Sequence, residues 1–395
     1  MSRIVITGIG VISALGEFAE TNHTALVKAE CGLSSLQLFK TIYSETLKFG
    51  EIKIENEQLK NRLGIKNKGI TRTSLLALHA LNEAVNDSKL KEVQIKSYDT
   101  ALIVANTVGG MCLTDELFQD ANSKDNGSEY VSSYDCGSTT LFLQNQLGVK
   151  GVCNTINTAC SSSANALMFA ARLINNGYAN RAIVGGVDSL AKFTINGFNS
   201  LGILAPQNCK PFDKNRNGLN LGEGSGFIVM EKESDVIDKK IYAVLSGYFN
   251  SNDAFHPSAL SDNGDGPFLA MKGALKTANL SPFQIGYVNT HGTGTENNDE
   301  VEGKALKRIF ETVPPFASTK SKIGHCLGGA AAIESVFSII ALNNQEIYPS
   351  LNFITPIEST GLIPLLEYKN HSFDHIMTNS FGFGGNCSSL IFSKK

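Results

Sequence analysis

Along this chain, short apolar runs rich in β-branched residues alternate with longer stretches rich in Ala and Leu. The short runs predict strands at 3–7, 101–105, 152–158, 181–187, 227–231, 241–247, 285–289, 316–320 and 388–392. The longer stretches predict helices at 71–86, 164–173, 266–278 and 330–342. Glycine-rich segments at 8–16, 106–110, 211–218, 222–226 and 378–386 predict turns. Residues 40–68 form a polar stretch, the polar segment 123–128 predicts a loop, and the charged run 232–240 marks an internal boundary.

Strands alternating with helices predict an α/β fold with mainly parallel sheets. Residues 1–240 and 241–395 share one plan. Each half opens with a strand, carries a strand–turn–helix in its middle, and closes with a glycine-rich loop and a strand. The middle turn holds Cys160 in the first half and His325 in the second. The pattern therefore predicts a duplicated α/β unit.

Composition narrows the function classes. Lys plus Arg number 34 and Asp plus Glu 37, a net charge of −3 that gives no bulk attraction to nucleic acid or membrane. Eight cysteines without a CxxC pair argue against a disulfide framework or a zinc site, and for a reducing, cytoplasmic setting. Arg3 and the apolar run after it read as a first core strand rather than a signal peptide, because Gly8 and Gly10 interrupt the run. No apolar run in the sequence reads as a membrane span. Gly8 and Gly10 also fail as a dinucleotide fingerprint, since Ser13 stands at the third glycine position.

Three residues at strand–turn junctions are candidates for chemistry. Cys160 sits between a strand and a helix, where the helix dipole and free N–H groups favour a thiolate. A buried cysteine packing as a small hydrophobe is the alternative. His291 ends a strand inside a Gly/Thr loop, and His325 stands five residues after Lys320 at the start of a helix. Strand ends are where open α/β sheets place their sites.

Four motifs then carry a family resemblance: Thr158-Ala159-Cys160-Ser161-Ser162; Thr290-His291-Gly292-Thr293-Gly294-Thr295 with Asp299; Ser318-Thr319-Lys320-Ser321 with Gly324-His325; and Asn379-Ser380-Phe381-Gly382-Phe383-Gly384-Gly385. The sequence resembles a β-ketoacyl–acyl-carrier-protein synthase of the elongating, Cys-His-His type, in the thiolase-like superfamily. The order of the motifs agrees from Arg3 to Phe392. Asn217, Glu296, Asn298 and the pair Asn386-Cys387 depart from the usual residues at their positions.

The resemblance implies a layered αβαβα core and decarboxylative condensation of an acyl-enzyme with malonyl–acyl-carrier protein. It implies Cys160 as nucleophile, His291 and His325 as donors to the malonyl thioester oxygen, and Lys320 as a partner of His325. Backbone N–H groups of Cys160 and Phe383 would form an oxyanion hole. Val108, Phe198, Thr293, Thr295 and Phe383 would contact substrate, while Asp299 and Glu334 would support the site. Lys66, Lys68 and Arg72, in a basic run, would receive the acidic carrier protein. No cofactor or metal is expected. A homodimer is expected, or a heterodimer with a relative of the chain-length-factor kind. Two other functions stay open at this point: a non-catalytic partner subunit that shapes chain length, and a Cys-His hydrolase.

Overall fold

A computed structural model describes residues 3–395. The first half runs β1 (Ile4–Ile12), α1 (Ala19–Val27), α2 (Asn56–Leu63), α3 (Arg72–Ser88), α4 (Glu92–Ile95), β2 (Thr100–Ala105), α5 (Thr114–Ser123), α6 (Cys136–Leu147), β3 (Cys153–Ile156), α7 (Ser162–Asn175), β4 (Arg181–Asp188), α8 (Lys192–Ser200) and β5 (Gly224–Lys232). The second runs β6 (Ala243–Asn252), α9 (Asp265–Ala278), β7 (Tyr287–Asn289), α10 (Glu296–Ile309), β8 (Phe316–Ala317), α11 (Lys320–Ile323), α12 (Ala330–Asn344), β9 (Glu346–Ile347), β10 (Lys369–Asn370), β11 (His375–Phe381) and β12 (Asn386–Ser393).

Ten strands lie in the order β3-β2-β4-β5-β1-β6-β12-β11-β7-β8, and β9 pairs with β10 separately. The order is palindromic in kind: strands 3-2-4-5-1 of the first half mirror 8-7-11-12-6 of the second. Each half pairs three strands in parallel, β3-β2-β4 and β11-β7-β8. The remaining pairings are antiparallel. The expectation of mainly parallel sheets is thus corrected to a mixed arrangement. Only two residue pairs, Val5 with Val244 and Ile6 with Ala243, join the halves across β1 and β6.

Helices fill three layers around these strands. Helix α3 covers β1, β4 and β5 on one outside, and α9 covers β6 and β12 on the other, with α10 packed against α9. Helices α7 and α12 pack on each other and on strands of both halves, so they form the middle layer. Residues 330–342 of α12 are all buried. With the 3₁₀ turn before it, the segment Leu327–Asn344 is long and apolar enough to cross a membrane by composition, contrary to the sequence reading. It is the central core helix, 89% buried within the protein.

Several local expectations change. Gly8 and Gly10 lie inside β1, not in a turn. A Cβ on Gly8 would stand 2.2 Å from the Ala84 carbonyl oxygen, and one on Gly10 2.1 Å from that of Ala80. Helix α3 therefore rests directly on the strand backbone, which only glycine allows. The predicted strand 316–320 stops at Ala317, because Thr319 adopts helical dihedrals and starts α11. The polar stretch 40–68 contains α2, which buries only Leu59.

Candidate active site

The candidate residues converge from four strand ends. Cys160 follows β3, His291 follows β7, His325 follows β8 and α11, and Phe383 follows β11. The Sγ of Cys160 and one ring nitrogen from each histidine all lie within 4.8 Å of one another. The two imidazoles meet edge to face, with centroids 5.3 Å apart.

The nucleophile turn is built by its neighbours. Ala159 takes φ +53, which swings Cys160 to the mouth of α7. The Thr158 N–H donates to the Ser162 hydroxyl at 2.8 Å. Ser161 Oγ and Asn165 Nδ2 each donate to Asn386 Oδ1 at 2.8 Å, and Asn250 Nδ2 donates to the same oxygen at 2.6 Å. Asn386 thus ties the nucleophile turn to the glycine loop of Phe383. A Cβ on Gly382 would lie 3.1 Å from the Cys160 nitrogen, so the two loops touch through a residue that has none.

Burial decides the state of the thiol. Cys160 is only 7% exposed. Desolvation pushes its thiol up to about 11, with the Lys320 charge and the Phe383 N–H acting against it. Burial thus opposes the thiolate that a position at the helix N-terminus predicts. Alkylation of Cys160 by iodoacetamide, followed on its own peptide, is expected to climb about tenfold per pH unit from pH 7 to 10. A plateau near pH 7 would instead mean a standing thiolate–imidazolium pair.

Both histidines are buried and neutral. Burial lowers each well below the ordinary imidazole value, and the Lys320 charge pushes in the same direction. The His291 and Gly292 N–H groups donate to Glu302 Oε1 and Oε2 at 2.9 and 2.8 Å. His325 donates its N–H to the Asn220 carbonyl at 2.7 Å and accepts from Gly222 at 3.0 Å. Neither ring nitrogen of His325 has a hydrogen-bond partner among the described residues. Lys320 is buried and donates to Glu334 Oε1 at 2.5 Å. It reaches both imidazoles through its charge. Asp299 accepts from the N–H groups of Phe212 (2.7 Å) and Gly294 (3.1 Å), so it fixes the Gly/Thr loop.

A cavity of about 450 Å³ opens in front of this cluster. Cys160, both histidines, Phe198, Thr293, Thr295 and Phe383 line it, and so do the departures Asn217, Glu296 and Asn298. Phe198 and Phe383 stack with centroids 5.9 Å apart. Val108 is not on the wall: it is fully buried in the apolar cluster against which Phe198 packs. Lys66 and Lys68 are exposed. Arg72 is not available to a partner, a correction to the basic run. Its guanidinium is buried and donates to Glu223 at 2.6 and 2.9 Å, and to the carbonyls of Ile52 and Ile54.

Two polar residues of the site region escaped the sequence reading. Glu302 lies one helical turn after Asp299, a spacing that would have pointed to it. Asp188 closes β4 and accepts hydrogen bonds from Thr107, Val108 and Gly328. Its only sequence signal is a carboxylate at the end of an apolar strand.

Residues 1–236 match the family model described as beta-ketoacyl synthase, N-terminal domain, and residues 242–354 match beta-ketoacyl synthase, C-terminal domain. The 3-oxoacyl-[acyl-carrier-protein] synthase 2 of Vibrio cholerae serotype O1 is 31% identical, over 99% of this chain and 99% of its own length. Among solved structures, the ishigamide ketosynthase/chain length factor superposes with a TM-score of 0.92 at 25% identity, covering 100% of this chain and 99% of that one. A type II polyketide synthase ketosynthase, in complex with its acyl-carrier protein, superposes at 0.90 with 25% identity and full coverage of both chains. Cys160 lies within the stretch matched by the first model, and His291 and His325 within that matched by the second, so the chain belongs to the beta-ketoacyl synthase family.

Proposed function

We propose that this protein is a condensing acyltransferase that joins an acyl group held on Cys160 to malonyl–acyl-carrier protein, giving 3-oxoacyl–acyl-carrier protein. One observation carries the reading: a thiol and two neutral imidazoles share one buried end of a cavity, with all three donor atoms within 4.8 Å.

In the first half-reaction, Cys160 Sγ attacks the acyl thioester as a neutral imidazole takes its proton. The backbone N–H groups of Cys160 and Phe383 hold the oxyanion, and the carrier thiol leaves with the proton. The Phe198–Phe383 stack must part to admit an acyl chain behind the sulfur. In the second half-reaction, malonyl–carrier protein loses CO₂. The electron pair of the broken C–C bond becomes an enolate, whose oxygen His291 and His325 hold by N–H donation. The enolate carbon attacks the acyl-Cys carbonyl, a C–C bond forms, the C–S bond breaks, and the departing Cys160 thiolate takes a proton from solvent water. Lys320 keeps both rings neutral, while Asp299 and Glu334 hold the loops around them.

The alternative of a non-catalytic, chain-length partner is disfavoured because Cys160, His291 and His325 are all present and assembled. Lys66 and Lys68 are the proposed contacts for an acidic carrier protein. Association as a dimer, with a second copy or a relative, is proposed through the β3 edge of the sheet, where Val152 and Leu141 stand 38% and 59% exposed. The division into halves 1–240 and 241–395 and a cytoplasmic setting are kept as parts of the same reading.

Peptide mass spectrometry after incubation with acyl–carrier protein tests it. An acyl adduct on the Cys160 peptide is expected, discharged to a 3-oxoacyl product two carbons longer when malonyl–carrier protein is added. No adduct would support the partner-subunit role, and rapid net hydrolysis a thioesterase.

A further inference from the structure

Asp188 is a fully buried carboxylate for which the condensation has so far had no use. Its oxygens gather donors from two separate segments. From the loop after β2, the Thr107 and Val108 N–H groups donate to Oδ1 at 2.9 and 2.8 Å, and the Thr107 hydroxyl to Oδ2 at 2.7 Å. From the 3₁₀ turn leading into α12, the Gly328 N–H donates to Oδ2 at 2.6 Å. No Lys or Arg pairs with it among the described residues.

The second segment matters because Gly328 comes three residues after His325. The upstream side of His325 is fixed by Asn220 and Gly222. On the downstream side Leu327 sits at φ +47, a left-handed conformation that a branched side chain resists. Such a turn persists only where its surroundings hold it. A Cβ on Gly328 would stand 2.9 Å from Asp188 Oδ2 and 2.9 Å from Thr107 Cγ2, so the turn is pressed against its clasp as closely as glycine permits.

We propose that Asp188 is a positioning residue, whose carboxylate clasps the turn carrying His325 to the loop after β2 and so sets the imidazole against Cys160. The assignment takes the role of His325 from the condensing reading. The charge of Asp188 also reaches the nucleophile. It adds to burial in pushing up the thiols of Cys160, Cys136 on α6 and Cys326, while Lys320 opposes it at Cys160 and Cys326. His291 and His325, the other titratable groups at Cys160, stay neutral. Burial raises Asp188 itself to about 6 despite its hydrogen bonds, so it is ionised at pH 8.

Asp188→Asn tests this at pH 8. A carboxamide has one acceptor oxygen, so its NH₂ must face either Gly328 or the Thr107–Val108 pair, and one segment is released. Acylation of Cys160 is expected at close to the wild-type rate. Condensation is expected to fall about 10²-fold, as for a misplaced donor to the enolate. Alkylation of Cys160 by iodoacetamide is expected to rise about tenfold, because a nearby negative charge is gone. Thr107→Val keeps the charge and removes one hydrogen bond. Condensation should then fall about fivefold with alkylation unchanged, and this variant decides the matter if Asp188→Asn does not fold. Wild-type condensation in either variant, or equal loss of both half-reactions with alkylation unchanged, overturns the proposal. If the wild-type protein makes no 3-oxoacyl product, the condensing reading fails, and the alkylation comparison still decides whether Asp188 acts on the Cys160 site.

Discussion

Cys160→Ala is expected to abolish acyl-enzyme formation and to lower condensation by at least about 10⁴-fold, the scale on which loss of a nucleophile is felt. No neighbour can stand in. The Ser161 hydroxyl is committed to Asn386. Cys326 and Cys209 are buried, and desolvation holds both thiols up, Cys209 at about 12. Decarboxylation of malonyl–carrier protein is expected to persist in the same variant, because it draws on the imidazoles and not on sulfur. Release of CO₂, measured beside product formation, separates the two. Normal condensation by the alanine variant would remove the central claim.

His291→Ala and His325→Ala are each expected to lose about 10²–10³ in malonyl decarboxylation, the usual cost of one donor in a preorganised oxyanion site. An imidazole that donates N–H to an enolate must be neutral, or it surrenders a full proton too early. Burial and Lys320 secure that state in both rings. Because both are lowered below the ordinary value, protonation cannot begin as pH falls through about 6.5. The decarboxylation rate should therefore stay flat from pH 8 to 6. At least one variant should still acquire an acyl group on Cys160, since the oxyanion hole proposed for that step is backbone. An acyl-enzyme that forms but cannot be extended is the signature to find. Wild-type decarboxylation in both variants would sink the paired-histidine mechanism.

Much of the site was legible because each candidate stands in a short motif directly after a strand. Cys160, His291 and His325 needed only the strand–turn pattern to be noticed. What packing decides was not legible. Arg72 reads as the end of a basic run with Lys66 and Lys68, yet it opens α3 with its guanidinium turned inward onto Glu223, 151 residues away. Val108 reads as pocket lining and is fully buried in the cluster against which Phe198 packs. Gly8 and Gly10 read as a turn because nothing local records that α3 presses on β1. The strand directions were missed for a similar reason. Residues 378–386 read as a glycine-rich turn, whereas 375–381 form β11 and leave four residues before β12, a connection that forces an antiparallel hairpin. The burial that opposes a thiolate at Cys160 was not legible either, because a helix N-terminus is visible in a sequence and desolvation is not.

The shared middle layer has a consequence for how the chain is made. Helix α7 ends at Asn175, and its packing partner α12 begins only at Ala330, roughly 150 residues later. At the usual pace of synthesis, α12 leaves the ribosome about 10–30 s after α7. Through that interval the first five strands can carry α7 on one face, but the side of the helix meant for α12 faces water. The nascent first half therefore spends its early life with an apolar seam open, in need of shelter until the second half arrives to close it.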